Sequence, residues 1–476
     1  MKYIIGGKIV HNDVQTMTQV FFQNTGFELV DDVPDEGLCL ELRHSSNSVS
    51  ASLWDSKILL NTLETKIDEN DAKGLHMAVK YAIFSLLVPI AGYRPPWGLL
   101  TGIRPAKIVT ALFGDGFSCD KAQKLLQEYY LVDHNRAELC TQVAAAQQGF
   151  IYAAEKGTSV YIGVPFCPSI CLYCSFSSYP MEKYAKYAQA YVDALLLEIR
   201  YIGKVLTNKY VENIYIGGGT PTALDIKNFE RLLACVAENF DIPAVKEYSI
   251  EAGRPDTITP QKLCLMKKYG VTRISINPQS LNDDTLKHIG RGHSADDFFE
   301  AYNSALEYFD NINIDLILGL AGENKADMYR TLGEICSLMP NSVTIHTLAV
   351  KRASRLHQEL NSHTFAEIKQ MEEILSYSQN CMRDINLYPY YMYRQKNSPG
   401  NFENVGYCRT TYEGRYNIQI MEERQNIFAA GAGAVTKLIA TPKDRINRVF
   451  NLRNPIEYIQ RVDEMIERKR VALGEN

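Results

Sequence analysis

The sequence lacks the features that would place it on a nucleic acid or in a membrane. Its 476 residues contain no block of basic residues, and 50 Lys and Arg against 55 Asp and Glu give a net charge of -5. No nucleic-acid partner is therefore indicated. The longest apolar run, residues 81–92, has about 12 residues and contains Pro89, which is too short for a bilayer span of roughly 20 residues. We expect no membrane span.

Cysteine is also scarce. Eleven cysteines, an odd number, do not provide the framework of a disulfide-stabilised secreted protein. The first residues, Met1-Lys-Tyr-Ile-Ile-Gly-Gly7, are typical of a strand and lack the apolar segment of a signal peptide. We therefore expect a protein of the reducing cytoplasm. Its composition, 46% hydrophobic and 22% charged, is that of a globular chain large enough for two or three domains.

Three of the cysteines lie close together. Cys167, Cys171 and Cys174 belong to the stretch Val-Pro-Phe-Cys-Pro-Ser-Ile-Cys-Leu-Tyr-Cys, which follows a strand-like segment. A C-x3-C-x2-C loop can bind three irons of a 4Fe-4S cluster and leave the fourth iron open to a substrate or cosubstrate. Structural zinc is the weaker interpretation, because it needs four ligands and no Cys or His follows Cys174 until Cys235.

Sequence patterning divides the chain into three parts. Residues 1–150 show both strand and helix patterns, which predicts a separate α+β domain whose role is open. Residues 151–350 alternate strands with amphipathic helices, which predicts a parallel sheet. Residues 351–476 form a C-terminal extension with one clear helix and a Tyr-rich stretch. The six strands predicted in the middle part are residues 160–164, 213–217, 247–252, 272–277, 312–318 and 342–348.

The predicted strands have one aliphatic and one polar face. Ile214 and Ile216 alternate with Tyr215, and Ile314 is followed by Asp315. Because successive side chains point to opposite faces, helices can cover the aliphatic face while the other lines a polar interior. Six such units predict an incomplete parallel (β/α)6 barrel with its site at the C-terminal strand ends, where the cysteine loop also lies. We expect residues 351–476 to cover the mouth of this barrel.

Further motifs follow in an order that matches a known family. They are Tyr161-Ile-Gly-Val-Pro-Phe-Cys167, Tyr215-Ile-Gly-Gly-Gly-Thr-Pro-Thr222, Asn277-Pro-Gln-Ser280, Gly290-Arg-Gly-His293 and Asp315-Leu-Ile-Leu-Gly-Leu320. With the cysteine loop and Glu251, they resemble the radical SAM enzymes, and more narrowly the oxygen-independent coproporphyrinogen III dehydrogenase group, which includes closely similar heme chaperones. Leu100-Thr-Gly-Ile-Arg-Pro-Ala-Lys107 and Tyr391-Met-Tyr-Arg-Gln-Lys396 are similar to a longer, Firmicutes-type branch, which extends the resemblance to nearly the whole chain.

The resemblance implies a set of cofactors. In such enzymes the open iron binds S-adenosyl-L-methionine (SAM), and the reduced cluster cleaves it to a 5'-deoxyadenosyl radical, while the protein supplies positioning and excludes water. One or two SAM molecules and an electron donor such as flavodoxin or ferredoxin are implied. Tyr161 and Glu251 are implied to be catalytic as well as SAM-binding. The implied SAM contacts are Tyr161, Tyr173, Gly218, Gly219, Thr220, Glu251, Gln279, Arg291, Asp315 and Ala349.

The activity implied is part of heme biosynthesis. It is the oxidative decarboxylation of two propionates of coproporphyrinogen III to vinyls, which gives protoporphyrinogen IX without oxygen. One position departs from the pattern: dehydrogenases of the group carry a fourth cysteine two residues after the third, and here Phe176 occupies that position, as in the chaperones. Since activity need not follow fold, a heme-binding chaperone that transfers heme, or another tetrapyrrole radical SAM enzyme, stays open.

Overall fold

A computed structural model describes residues 1–22, 26–68, 73–153, 157–395, 399–440 and 445–475. The chain forms two compact units, one of Met1–Ala145 with Arg394–Phe402 and one of Ala146–Tyr393 with Glu403–Asn476. The expected boundary at residue 150 falls inside the helix that leads from the first unit into the second. Arg394–Phe402, which we expected in the C-terminal extension, groups with the first unit.

The first unit is built on a five-stranded mixed sheet. The strand order is β2-β1-β3-β4-β5, in which β1 runs parallel to β2 and β3, and β3, β4 and β5 form an antiparallel meander. Helices α1 and α2 pack together, and their apolar side chains share one core with those of β3 and β4. The elements are β1 Lys2–Gly6, α1 His11–Phe21, β2 Glu28–Leu29, β3 Leu38–His44, β4 Ser48–Asp55, β5 Ile58–Lys66, α2 Gly74–Ala91, α3 Ala106–Gly114, α4 Cys119–Glu128 and α5 His134–Ala153.

Helix α2 is apolar along most of its length. Within the described chain it is the one helix that is long and apolar enough to cross a membrane by length and composition. Val79, Ile83 and Leu87 on this helix are at most 1% exposed and belong to the core of the first unit. Burial in a protein core accounts for its composition, since a buried helix needs no polar face.

The second unit is built on an eleven-stranded sheet. Its order is β14-β15-β13-β12-β11-β10-β9-β6-β16-β17-β18. The elements are β6 Thr158–Val164, β7 Phe166–Cys167, β8 Tyr179–Pro180, α6 Met181–Val205, β9 Val211–Gly218, α7 Ile226–Asn239, β10 Glu247–Glu251, α8 Pro260–Lys268, β11 Arg273–Gln279, α9 Asp283–His288, α10 Ala295–Leu306, β12 Ile312–Leu318, α11 Lys325–Ser337, β13 Ser342–Thr347, α12 Arg355–Gln358, α13 Ile368–Asp384, β14 Tyr388–Arg394, β15 Glu403–Cys408, α14 Arg415–Glu422, β16 Asn426–Ala430, β17 Val435–Ile439, β18 Ile446–Phe450, α15 Pro455–Gln460 and α16 Val462–Leu473.

The predicted incomplete (β/α)6 barrel is confirmed. Strands β6, β9, β10, β11, β12 and β13 lie side by side in chain order, and all five neighbouring pairs are parallel. Their observed ends lie within two residues of the predicted ones. The aliphatic residues of the strands, such as Ile214, Ile276 and Ile314, are fully buried. The alternation of side chains therefore located both the strands and their helix-facing sides.

Five of the helices in this barrel begin at a polar capping side chain. An N-cap oxygen accepts a hydrogen bond from a backbone N–H of the first turn that has no partner within the helix. These caps mark the residues at which the loops after the C-terminal strand ends finish and the helices begin. The caps of α7 to α11 are Asp225, Thr259, Asn282, Ser294 and Asn324.

Helix α14 closes the N-terminal end of the barrel. The carboxylate of Glu247, at the start of β10, accepts hydrogen bonds from the backbone N–H groups of Arg415 at 2.5 Å and Tyr416 at 3.3 Å. Negative charge at a helix N-terminus is favourable because the helix dipole is positive there. The guanidinium of Arg415 in turn lies 3.2 Å from Glu212, at the start of β9. This end of the polar interior is therefore filled by paired side chains.

The residues after 350 reach both ends of the barrel. The backbone N–H of Leu356 in α12 donates to the carbonyl of Leu172 in the cysteine loop at 3.0 Å, at the mouth. Helix α14 lies at the opposite end, and β14 to β18 extend the sheet at both edges, with β16 pairing in parallel with β6. Only part of the expected C-terminal extension thus lies at the barrel mouth, and the rest completes the sheet.

The last two helices are attached to α6 through one buried carboxylate. Glu198 is fully buried and accepts hydrogen bonds from Lys469 Nζ and Tyr458 OH, each at 2.5 Å, and from Asn451 Nδ2 at 2.8 Å. The backbone N–H of Gly431 donates to it at 2.8 Å. A buried charge is tolerated only when it is paired and fully hydrogen-bonded, as here.

Candidate cofactor site at the C-terminal strand ends

The cysteine loop is fixed at the barrel mouth by backbone hydrogen bonds. It begins where β6 ends, and the N–H of Thr220, after β9, donates to the carbonyl of Phe166 at 2.7 Å. The N–H of Leu172 donates to the carbonyl of Ile289, after α9, at 2.9 Å. Two segments distant in sequence therefore hold the loop against the ends of the strands.

Each sulfur of the three cysteines has a hydrogen-bonding neighbour from another residue. Hydrogen bonds to cluster sulfurs are one means by which a protein sets the reduction potential of an iron-sulfur cluster. Burial raises the pKa of Cys167 and Cys174, and hydrogen bonds from Thr220 and Ser178 oppose that effect. The contacts are Thr220 Oγ1 to Cys167 Sγ at 3.6 Å, Arg254 Nη1 to Cys171 Sγ at 3.8 Å and Ser178 Oγ to Cys174 Sγ at 3.8 Å.

Arg254 is a site residue that the sequence reasoning missed. It lies just after β10, is 2% exposed, and donates to both carboxylate oxygens of Asp256 at 3.0 Å. Its Nη1 also donates to Ser169 Oγ at 3.1 Å, which directs the guanidinium toward Cys171. Its position three residues after Glu251 was the one sequence feature that could have indicated a role in the site. Its proximity to the cysteine loop, however, follows only from the fold.

We expect replacement of Arg254 by glutamine to make the reduction potential of the reconstituted cluster more negative by tens of millivolts. The guanidinium places positive charge and a hydrogen bond beside Cys171, which favours the reduced cluster because that state carries more negative charge. A redox titration followed by electron paramagnetic resonance measures the shift. Arg254→Lys, which keeps the charge, should shift the potential less. Equal potentials in the wild type and both variants would contradict this role.

The turn Gly217-Gly-Gly219 leaves no room for side chains. A Cβ on Gly219 would lie 2.6 Å from the carbonyl oxygen of Phe166 and 3.0 Å from Cys167 Sγ, and one on Gly217 would lie 2.7 Å from the Glu251 carboxylate. Gly218 has φ +112°, a conformation that favours glycine. The backbone therefore passes closely between the cysteine loop and Glu251, as expected of a turn that approaches a bound ligand.

Glu251, the last residue of β10, is held by two donors. Tyr215 OH donates to its Oε1 at 2.5 Å and the backbone N–H of Gly218 to its Oε2 at 3.2 Å. Burial raises the pKa of Glu251 to about 7, although the Tyr215 hydrogen bond opposes the rise. The negative charge of Asp315 contributes to the rise, and the positive charge of protonated His346 opposes it. A carboxylate with so high a pKa gains from a cationic or hydroxyl-bearing ligand.

Three tyrosine rings lie side by side in the barrel interior. The rings of Tyr215 and Tyr416 stack with centroids 4.4 Å apart, and Tyr161 lies 6.2 Å from each of them at interplanar angles of 16° and 20°. Burial raises the pKa of Tyr161, with a further contribution from Glu251. The stack therefore forms a neutral aromatic surface below Glu251. Tyr416 comes from α14, more than 200 residues after Tyr215, so sequence patterning did not connect them.

Strand β11 directs free polar atoms into the same interior. The buried oxygens Ser275 Oγ, Asn277 Oδ1 and Gln279 Oε1, at alternate positions of the strand, have no hydrogen-bond partner among the described residues. Gln279 also has φ +71°, which is uncommon for a residue with a side chain. Arg291 Nη2 donates to the carbonyl of Asn277 at 2.5 Å, while its buried Nε has no described partner. Buried polar atoms in this state are suited to a polar ligand.

The other predicted contacts lie around this interior. Burial raises the pKa of Asp315, but hydrogen bonds and charge from His346, with a hydrogen bond from Asn313, hold it below the ordinary value. Tyr173 lies in the cysteine loop, interacts with Cys171 and lies near the charge of Arg291. Ala349 follows the end of β13. Most of the predicted residues therefore lie at the C-terminal strand ends, while Tyr161 and Asp315 lie within β6 and β12, and their roles stay predictions.

The residues present fit a 4Fe-4S cluster with bound SAM. Three thiols lie on one loop, a glycine turn passes close to them, and several buried polar atoms that have no partner among the described residues face the same interior. Within the described ranges, no three His, Cys, Asp or Glu side chains converge on one point as ligands of a single ion would. Each cysteine of a cubane cluster binds a different iron, so convergence is not required.

Comparison with known proteins identifies the family of this chain. The family model described as "Radical SAM superfamily" matches residues 161–335. The oxygen-independent coproporphyrinogen-III oxidase-like protein HemZ of Bacillus subtilis is 34% identical over 474 residues, which cover 97% of this chain and 95% of HemZ. The heme chaperone HemW of Lactococcus lactis is 27% identical over 67% of this chain and 80% of its own.

A solved structure shares the fold. The coproporphyrinogen III oxidase HemN of Escherichia coli, titled a radical SAM enzyme, superposes with a TM-score of 0.52 at 22% identity, over 68% of this chain and 73% of HemN. Membership of the radical SAM superfamily implies a 4Fe-4S cluster and SAM, and the three thiols of this site fit such a cluster. The chain belongs to the oxygen-independent coproporphyrinogen-III oxidase-like family of radical SAM oxidoreductases.

Proposed function

We propose that this chain oxidatively decarboxylates two propionates of coproporphyrinogen III to vinyls, with release of carbon dioxide, and so forms protoporphyrinogen IX without oxygen. The observation that carries the proposal is the position of the three thiols beside Glu251 and the free polar atoms of β11, at one end of the barrel. Near full-length identity of 34% to an oxidase-like relative supports the substrate class. Flavodoxin or ferredoxin in the cytoplasm is the proposed electron donor.

The residues of the site are proposed to hold SAM rather than to perform chemistry on it. When bound, the cluster and SAM supply a radical that abstracts hydrogen from the substrate. The backbone of Gly218 and Gly219 lies close to the cysteine loop and to Glu251, where it could contact the methionine end of SAM. Glu251 can accept hydrogen bonds from an ammonium or ribose group, and Gln279 offers its free Oε1. Their joint effect is to fix SAM and exclude water.

The remaining predicted contacts complete this proposal. Thr220 and Tyr173 lie beside Cys167 and Cys171, from where they could contact a SAM molecule bound at the open iron. Arg291 and Asp315 can pair with charged or hydroxyl groups of SAM or of the substrate. Tyr161 offers a ring on which a flat group can stack. Ala349, with its small side chain, can allow close approach at the end of β13.

We expect the affinity of the reconstituted protein for SAM to rise between about pH 6 and about pH 8. The pKa of Glu251 is raised to about 7, so below that pH the group is protonated and must release its proton before it can accept charge-assisted hydrogen bonds. Anaerobic calorimetric titration at several pH values measures the change. Tyr215→Phe removes a hydrogen bond that lowers this pKa, so it should move the midpoint to higher pH. An affinity independent of pH would contradict a role for Glu251.

The proposed reaction is tested by anaerobic turnover. The protein with reconstituted cluster is supplied with dithionite, SAM and coproporphyrinogen III, and products are separated by mass. We expect 5'-deoxyadenosine and protoporphyrinogen IX to form together, and neither to form with Cys171→Ala. SAM cleavage without protoporphyrinogen IX would reject this substrate and leave the radical SAM assignment intact. A product of different mass would identify another tetrapyrrole reaction.

A heme chaperone is the second candidate function. Phe176, which replaces a fourth cysteine after the cluster loop, is 76% exposed, and HemW chaperones are among the relatives. Titration of the purified protein with heme tests this function, and absence of tight, stoichiometric binding would reject it. Phe176→Cys restores the missing cysteine. Decarboxylation by this variant but not by the wild type would favour the chaperone function for the natural chain.

A further inference from the structure

Helices α11 and α13 pack side by side in parallel orientation on the outside of the barrel. Lys325, at the start of α11, pairs with Glu373. One turn further along both helices, the rings of Tyr329 and Tyr377 contact each other edge to face, with centroids 4.2 Å apart. The two helices therefore face each other through matching positions on successive turns.

Two cysteines lie further along the facing sides of these two helices. Cys336 lies seven residues after Tyr329 and Cys381 four residues after Tyr377, which places each thiol on the face that meets the other helix. The two side chains interact directly, since each thiol shifts the pKa of the other. Both are free and partly exposed, unlike the buried Cys39, Cys140, Cys235 and Cys408. They are also separate from the three cysteines of the cluster loop.

Neighbouring groups shift the pKa values of the two thiols in opposite directions. The hydrogen bond from Cys336 lowers the pKa of Cys381 to about 7, burial opposes this, and a further hydrogen bond from Tyr377 OH supports it. The same pairing raises the pKa of Cys336. Nearby Asp384 opposes the ionisation of both thiols. A partly exposed thiolate beside a second thiol is the arrangement of a nucleophilic and a resolving cysteine.

We propose that Cys336 and Cys381 form a redox-active thiol pair that a low-molecular-weight disulfide oxidises to a disulfide between α11 and α13. The Cys381 thiolate attacks one sulfur of the small disulfide, forms a mixed disulfide and releases one small thiolate. Cys336 then loses its proton and attacks Cys381 Sγ, and the second small thiolate leaves. The two cysteines lose two electrons and two protons in total, and the small disulfide becomes two thiols.

The proposal is tested on the full chain with its cluster, treated anaerobically with oxidised glutathione and digested without reduction. Peptide mass mapping should show Cys336 linked to Cys381, and excess dithiothreitol should reverse the link. Cys336→Ser should trap glutathione on Cys381, and Cys381→Ser should prevent the reaction. Cys264→Ser, at an exposed cysteine elsewhere, should leave the link unchanged. A wild-type mixed disulfide that persists on Cys381 would overturn the proposal.

A second measurement does not depend on disulfide formation. Alkylation of Cys381 near neutral pH is expected to be several times faster than alkylation of the exposed Cys264, because more of Cys381 is thiolate. Tyr377→Phe removes a hydrogen bond to that thiolate and should slow the reaction. Equal rates at the two cysteines, or a rate unaffected by Tyr377→Phe, would reject the assigned nucleophile.

Discussion

Replacing Cys171 by alanine is expected to leave the reconstituted protein colourless and unable to cleave SAM. The loop supplies three thiolates. Loss of the middle one leaves one iron without a protein ligand and weakens the attachment of the cluster to the protein. Cys171 Sγ also receives the hydrogen bond from Arg254, so its loss leaves that buried guanidinium with one partner fewer. Visible absorption and iron content after anaerobic reconstitution measure the outcome.

The matched control is Cys264→Ala, at an exposed cysteine outside the loop. It should retain the full iron content and colour of the wild type. Circular dichroism should be the same for both variants, because a folding defect would also remove the cluster. Retention of colour in folded Cys171→Ala would contradict cluster binding by this loop.

Glu251→Gln is expected to weaken SAM binding by about ten- to a hundredfold. An amide of the same shape keeps the fold but cannot accept charge-assisted hydrogen bonds, which contribute about 1.5–3 kcal/mol each. The variant should also lose the pH dependence of binding, because the titrating carboxyl is gone. Anaerobic calorimetry of the reconstituted protein with SAM measures both effects.

Glu323→Gln provides a matched control for this change. Burial also raises the pKa of Glu323 to about 7, and its carboxylate accepts a hydrogen bond from Ser280. It is 6% exposed, so the same substitution is made at a comparably buried carboxyl. SAM affinity should change less than twofold there, within the ordinary effect of a substitution outside the site. Equal losses in both variants would indicate a general effect of removing a buried carboxyl.

The parts of the site that depend on local spacing could be predicted from sequence. The three cysteines, the glycine turn and Glu251 each lie at the end of a strand, and the alternation of aliphatic and polar residues located those strands. Arg254, by contrast, meets Cys171 only because the end of β10 and the cysteine loop meet in three dimensions. Tyr416 reaches the interior through α14, whose position depends on the pairing of Glu247 with its N-terminus. Contacts between distant segments leave no periodic pattern in the sequence.

One strand end shows why local rules also fail. Pro278 lacks a backbone N–H, so sequence rules end β11 at Asn277. In the structure the strand continues to Gln279, and its pairing with β12 shifts register between Ile276 and Gln279. Gln279 adopts positive φ there. Unusual backbone conformations are common at functional sites, and this one brings Gln279 to the interior beside Asn277.

The pairing of β6 with β16 also bears on how the protein is made. Strand β6 carries the cysteine loop, yet one of its two neighbours, β16, ends at Ala430, more than 250 residues after Cys174. A ribosome synthesising the chain from its N-terminus releases the cysteines long before that neighbour exists. Until then β6 is an unprotected edge strand. The sheet that carries the cysteine loop therefore reaches its full set of strand pairings only after nearly the whole chain has been synthesised.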